Sequence, residues 1–129
     1  MPDAAIALAR IFLVALFLWS GFGKLTNPAG LAGMLTAKHL PMPTMLAYAA
    51  GIAEMGLGIL IVIGFKTRQA ALALAAFTVV TVLIGHNFWQ MTGDAYRNNL
   101  IQALKNLSIV GGLILLAING PGRYSADQG

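Results

Sequence analysis

Apolar residues along this chain fall into four long blocks separated by short polar stretches. The first runs from about residue 4 to 22, the second from 44 to 65, the third from 69 to 89 and the fourth from 99 to 118. Each is about 20 residues long, and at 1.5 Å rise per residue a helix of that length spans a hydrocarbon core of roughly 30 Å. Lipid offers backbone N–H and C=O groups no partner, so blocks of this kind are predicted to be helices rather than strands. The fold class is therefore all-α, a membrane four-helix bundle forming one domain.

The joints refine this picture. Lys66-Thr67-Arg68 is too short for anything but a tight turn, so the second and third helices are antiparallel neighbours. The stretch 23–43 is longer. Asn27-Pro28 reads as a helix cap followed by a first-turn proline, and Leu31, Met34 and Leu35 share one face. A short interfacial helix is expected there, closed by Pro41 and Pro43. Residues 90–98 read as a polar loop, and Gly120-Pro121-Gly122 ends the last helix. The first block resembles a signal peptide only superficially. Its uncharged run from Ile11 to Gly23 is followed by Lys24 without an A-x-A type cleavage site, so retention as a membrane helix is expected.

Composition points the same way. The chain of 129 residues is 58% hydrophobic and 9% charged, and its mean hydropathy is +0.78. Twelve charged residues, eight basic and four acidic, cannot cover the surface of a small soluble globule. The net charge of +4 does not indicate nucleic acid, because Lys24, Lys38, Lys66, Arg68, Arg97 and Arg123 sit singly, as anchors in loops and at helix ends. With no cysteine, the chain has no disulfide, thiolate metal site or thiol exchange of its own. Loop charges divide evenly between the two sides of the bundle. The compact Lys66/Arg68 turn, with Arg10 near the first helix start, favours cytoplasmic termini.

Four ionisable residues fall inside apolar blocks: Arg10, Glu54, His86 and Lys105. Glu54 lies about 15 Å into the second helix, close to the midplane, with Arg10 and Lys105 each about 6 Å from its level. An isolated charge at such depth costs at least about 2.5–3.5 kcal/mol, so pairing or protonation of Glu54 is expected. Either cation is reachable by depth, and depth says nothing about rotation. Ala47, Gly51, Glu54 and Gly58 recur at helical spacing, a small-residue stripe that lets another helix approach closely. Lys105 shares a face with Ser108 and Gly112, next to Asn106. Thr78, Thr81 and Gly85 make a milder stripe. Two readings stay open for the charges: a buried lock that fixes helix register, or a ligand- and proton-handling site.

His86-Asn87-Phe88-Trp89 closes the third block. Phe88 and Trp89 suit an interfacial aromatic belt, whereas His86 changes protonation near neutral pH. A histidine, an amide and an aromatic there can hydrogen-bond and stack a quinone head group, or simply cap a helix end. His39 lies in the first long loop, so the two histidines do not oppose each other as a haem would require. The six methionines lack metal-ligand spacing and read as packing residues. No metal site is expected.

The segments ALARIFLVALFLWSGFGKLTNPAG, HLPMP, AEMGLGILIVIGFKTR, GHNFWQMTGD and LIQALKNLSIVGGLILLAINGPGRYS together resemble the DoxX family of small membrane proteins. The resemblance covers roughly residues 4 to 125. It implies a four-helix bundle in the bacterial inner membrane. The family is named for a subunit linked to quinone-reducing oxidoreductases, and some members are linked to thiol and oxidative-stress systems. Fold carries over more firmly than chemistry.

The functional expectation is a quinone- or lipid-interacting subunit of an oxidoreductase system that acts with protein partners. Glu54 and His86 are the proton-handling candidates, and Lys105, Arg10, Asn87, Trp89, Asn106 and Lys24 the ligand-binding ones. Without cysteine, flavin motif or metal site, a quinone is the redox cofactor such a chain would use. One rival reading is a small proton-coupled carrier, which with four helices requires a homo-oligomer. The other is a structural or assembly protein whose charges only lock its helices.

Overall fold

A computed structural model describes residues 2–127. It contains α1 (Asp3–Thr26), α2 (Ala29–Ala37), α3 (Pro43–Ile63), α4 (Thr67–Gly85) and α5 (Gly93–Asn119), with a 3-10 turn at Phe88–Gln90. No strand occurs among the described residues. The four long elements are apolar enough to cross a membrane, and their outward faces carry large apolar side chains such as Phe12, Trp19, Leu115 and Ile118. In water such a surface would be a liability; in lipid it is the solvent-matched face.

The boundaries shift in ways that bear on chemistry. α1 continues past the expected end at residue 22 to Thr26, so Lys24 is carried on the helix rather than on a loop. α5 starts at Gly93, two turns before the expected residue 99, because Thr92 and Gly93 break the chain and the polar stretch after them is itself helical. α4 stops at Gly85, short of residue 89, and leaves His86 as its C-cap. The short helix between the first and second spans is present, although Pro28 rather than Asn27 precedes it. Pro43 does not close it but opens α3, where a missing N–H is harmless.

α1 packs chiefly on α3, and α4 on α5. The two pairs join at the turn between α3 and α4, where Gly64 adopts a left-handed conformation with φ of 72°. Ala47, Gly51, Glu54 and Gly58 are all buried, and the helix that the stripe admits is α1. The contact is close enough that a Cβ on Gly21 would stand 2.9 Å from the Met55 backbone nitrogen and 3.0 Å from the Gly51 carbonyl oxygen. Backbone cannot yield as a flexible side chain does. Gly21→Ala is therefore expected to destabilise the bundle by about 1–3 kcal/mol. At Gly56 a Cβ meets nothing within 4 Å, so Gly56→Ala is expected to be neutral or to stabilise by up to about 1 kcal/mol. Thermal unfolding of both variants in detergent checks the contrast.

The end of the bundle that holds both termini is tied by hydrogen bonds. After α5 the chain crosses the α3–α4 turn, with Ala126 N–H donating to Ile63 O and Asp127 N–H to Gly64 O, each at 2.8 Å. The Asp127 carboxylate then accepts from the backbone N–H groups of Lys66 (2.9 Å) and Thr67 (2.8 Å), capping α4 from 60 residues away. These two bonds hold its carboxyl below the ordinary range, the Thr67 bond most strongly. A depressed carboxyl contributes stability above its unfolded value of about 3.9, and that contribution is lost as pH falls through the lower folded value. The difference in melting temperature between the native chain and Asp127→Asn is accordingly expected to be largest at neutral pH and to vanish under strong acid.

Candidate ligand-binding site

On the side of the membrane away from the termini, residues of all four long helices line a cavity of about 660 Å³. That volume is in the range of small-molecule sites. Most of the wall is apolar, from Leu16 and Phe17 of α1, Phe77 and Ile84 of α4 and neighbouring alanines of α3. α2 lies over the mouth and contributes Leu31, Met34 and Leu35, the face grouped from sequence.

The polar groups converge at one place. Lys24 Nζ lies 2.5 Å from Glu54 Oε1 and donates to Ser20 Oγ at 2.6 Å; the Ser20 hydroxyl is 3.4 Å from the same carboxylate oxygen. Ser20 and Lys24 are one helical turn apart on α1, and the close α1–α3 approach brings both to Glu54. The Glu54 side chain is 6% exposed and that of Lys24 22%. An ammonium has three N–H groups, and two of those on Lys24 are engaged here. At the opposite rim His86 lines the same cavity, with Nδ1 3.0 Å from Asn99 Oδ1. Holding that nitrogen leaves Nε2 as the free position on the ring. Asn106 and Gln102 of α5 complete the polar rim.

Of the sequence-derived candidates, Glu54, His86, Lys24 and Asn106 meet in this one cavity. Arg10 does not. Its guanidinium is buried at the other end, where it donates to the carbonyls of Ile61 (2.8 Å), Val62 (3.0 Å), Tyr124 (2.8 Å) and Pro121. The expected Arg10–Glu54 pairing is thus replaced by backbone capping. Lys105 lies on an exposed face of α5 and makes no ion pair among the described residues, so it is not the partner of Glu54 either. Asn87 accepts from Lys38 Nζ at 3.1 Å and bonds Gln90, tying the end of α2 to the loop after α4, outside the cavity. Trp89 is half exposed and packs edge-on against Phe88, as an interfacial belt residue does. Ser20 and Asn99 are site residues that sequence reasoning missed. The i, i+4 spacing of Ser20 and Lys24 was a usable signal; nothing local links Asn99 to His86. Among the described residues no three His, Asp or Glu side chains gather into a metal-holding group.

The DoxX family model matches residues 5–87, which takes in most of α1, all of α3 with Glu54, and all of α4. The chain belongs to the DoxX family. This DoxX protein is 42% identical to the inner membrane protein YphA of Escherichia coli over 123 residues, covering 95% of this chain and 88% of that protein. It is 37% identical to the inner membrane protein YqjF of the same organism over 131 residues, 99% and 93% of the two chains. A Surfeit locus protein 4 homologue of Schizosaccharomyces pombe is 38% identical over 74 residues, 54% of this chain and 24% of that one. No solved structure gives a significant match. With four spans and these relatives, this DoxX chain is an integral inner-membrane protein.

Proposed function

We propose that the cavity binds the head group of a quinone and that the protein serves as a quinone-binding subunit of a membrane oxidoreductase system, together with protein partners. The observation that carries this reading is a charged, hydrogen-bonded cluster, Lys24–Glu54–Ser20, at the floor of an apolar cavity inside the membrane span. The register-locking reading accounts for the pair and for the Gly21–Gly51 contact, but not for a cavity built over them.

The residues fit such a ring. The remaining N–H of Lys24 is available to a carbonyl oxygen, while His86, whose Nδ1–H donates to Asn99 Oδ1, presents Nε2 at the rim as an acceptor suited to a hydroxyl of the reduced ring. Because Lys24 and Glu54 compensate each other, the site suits a neutral head group better than an anion. A quinone supplies two-electron, two-proton chemistry when bound. Glu54 and His86 are the groups placed to pass protons to and from the bound ring. Ser20 fixes the Lys24 ammonium on the carboxylate.

The test is mass spectrometry of small molecules retained after gentle detergent purification. Stoichiometric quinone is expected in the native chain, with a large loss in Glu54→Gln and in His86→Ala. A protein that carries only bulk phospholipid overturns the reading.

The termini are assigned to the cytoplasm. Lys24 is paired within the membrane and drops out of the loop count, leaving Lys66, Arg68 and Arg123 on the terminal side against Lys38 and Arg97 on the other. Because the chain has no cysteine, a single Thr92→Cys variant is expected to react with an impermeant maleimide in intact spheroplasts. Reaction only after lysis reverses the assignment.

A further inference from the structure

The cavity has a side as well as a mouth. α1 and α5 touch far less than the other neighbouring pairs of long helices. Their close contact is at Leu13 and Gly112, where a Cβ on the glycine would stand 3.0 Å from the leucine Cδ1. Residues at Ile101, Lys105, Ser108 and Gly112 recur at three- and four-residue spacing, so they lie on one face of α5, the face turned to α1. Beyond Gly112 this stripe is exposed at Ile101, Lys105 and Ser108. The α1 side chain one turn on from Leu13 is Leu16, which lines the cavity and is nevertheless 51% exposed. Gln102 of α5 likewise both lines the cavity and is exposed. Between the Leu13–Gly112 contact and the α2 side, α1 and α5 thus carry residues, Leu16 and Gln102, that line the cavity and are also exposed.

Lys105 stands on the exposed stripe of α5. It is a cation about 18 Å along α5 from the helix start at Gly93, without a partner carboxylate among the described residues. Such a position is expensive in lipid unless the side chain reaches polar atoms. Its neighbours toward the interior are Gln102 and Asn106, so polar groups continue from the lipid edge into the cavity.

We infer that a side entrance between α1 and α5 lets a neutral, single-chained amphiphile pass its head group from the bilayer past Lys105 to the Lys24–Glu54 pair, leaving its chain in lipid. The inference rests on the ligand reading above and adds the route and the substrate class. Lys105, Gln102 and Asn106 offer successive hydrogen bonds to a carbonyl-bearing ring, so the head group never crosses the wall unsolvated. A single-chained amphiphile places one chain in such a passage, whereas a diacyl lipid would have to place two.

Two probes test this on the purified full chain: a quinone with a long isoprenoid chain that carries a diazirine in its first unit, and the same ring bearing only methyl groups. Illumination of the first is expected to label α1 around Leu13 to Ser20 and α5 around Gln102 to Ile109. Labelling of α3 around Leu46 to Ala53 with α4 around Val80 to Ile84 overturns the route. Ser108→Trp, and independently Ile101→Trp, fill this entrance without touching the cavity lining. Each is expected to weaken the long-chain probe at least tenfold while changing the methyl probe by less than twofold. Unchanged binding of both probes, or equal loss of both, in either folded variant overturns the inference while leaving the site itself standing. Binding of neither probe to the native chain removes the functional reading and this inference with it.

Discussion

Replacing Arg10 with leucine is expected to cost this protein several kcal/mol, more than any other single substitution away from the cavity. The side chain is 3% exposed and reaches carbonyls on two chain segments, Ile61 and Val62 at the end of α3 and Pro121 and Tyr124 after α5. Hydrogen bonds from a charged donor contribute about 1.5–3 kcal/mol each, and acceptors left buried without a donor add their own penalty. The Ile61 carbonyl keeps a bond from Gly64 N–H, so the loss is less than four full bonds and about 4 kcal/mol is a reasonable expectation. Arg10→Lys is expected to recover less than half of this, because an ammonium lacks the planar fork that serves two segments at once. Unfolding in mixed micelles with increasing SDS measures both. Equal stability of Arg10→Leu and the native chain contradicts the assignment of Arg10 as the tie at the closed end.

The second large effect is at the Lys24–Glu54 pair, and it is asymmetric. Lys24→Met strands a carboxylate that is 6% exposed, whereas Glu54→Gln strands an ammonium that is 22% exposed and can turn toward the cavity mouth. Removing one partner of a buried pair costs about 3–5 kcal/mol. Lys24→Met is expected near the lower end of that range and Glu54→Gln at about 1–2 kcal/mol, after discounting for its solvent access. The double variant Lys24→Met/Glu54→Gln removes both charges and is expected to regain most of the native stability. A double-mutant cycle reads the coupling directly. Additive single effects would mean that the two side chains do not share one environment. Stability and ligand binding separate here: the double variant is expected to fold well and to bind no quinone.

The sequence made the spans legible because lipid imposes a length and forbids exposed backbone, and the small-residue stripe around Glu54 was legible because helical spacing alone decides which residues share a face. Rotation about the helix axis was not legible. Depth placed Arg10 and Lys105 near Glu54, but Arg10 turns to backbone carbonyls, which have no sequence signature, and Lys105 turns outward on α5. The true partner, Lys24, lay just beyond the apolar block and read as an end anchor until α1 extended to Thr26. Asp127 caps α4 across 60 residues of chain, a pairing that only the folded end of the bundle creates. His86 was singled out for its chemistry and does line the cavity, whereas its partner Asn99 waited on the early start of α5.

In the proposed complex a carbonyl of the bound head group takes the remaining N–H of Lys24 beside Glu54. Difference infrared spectroscopy of a quinone ¹³C-labelled at its carbonyls, bound to the native chain and offered to the Lys24→Met/Glu54→Gln double variant, addresses that bond directly. A carbonyl stretch shifted to lower frequency is expected in the native protein, and a free-quinone band with the double variant. The same band in both samples would contradict it.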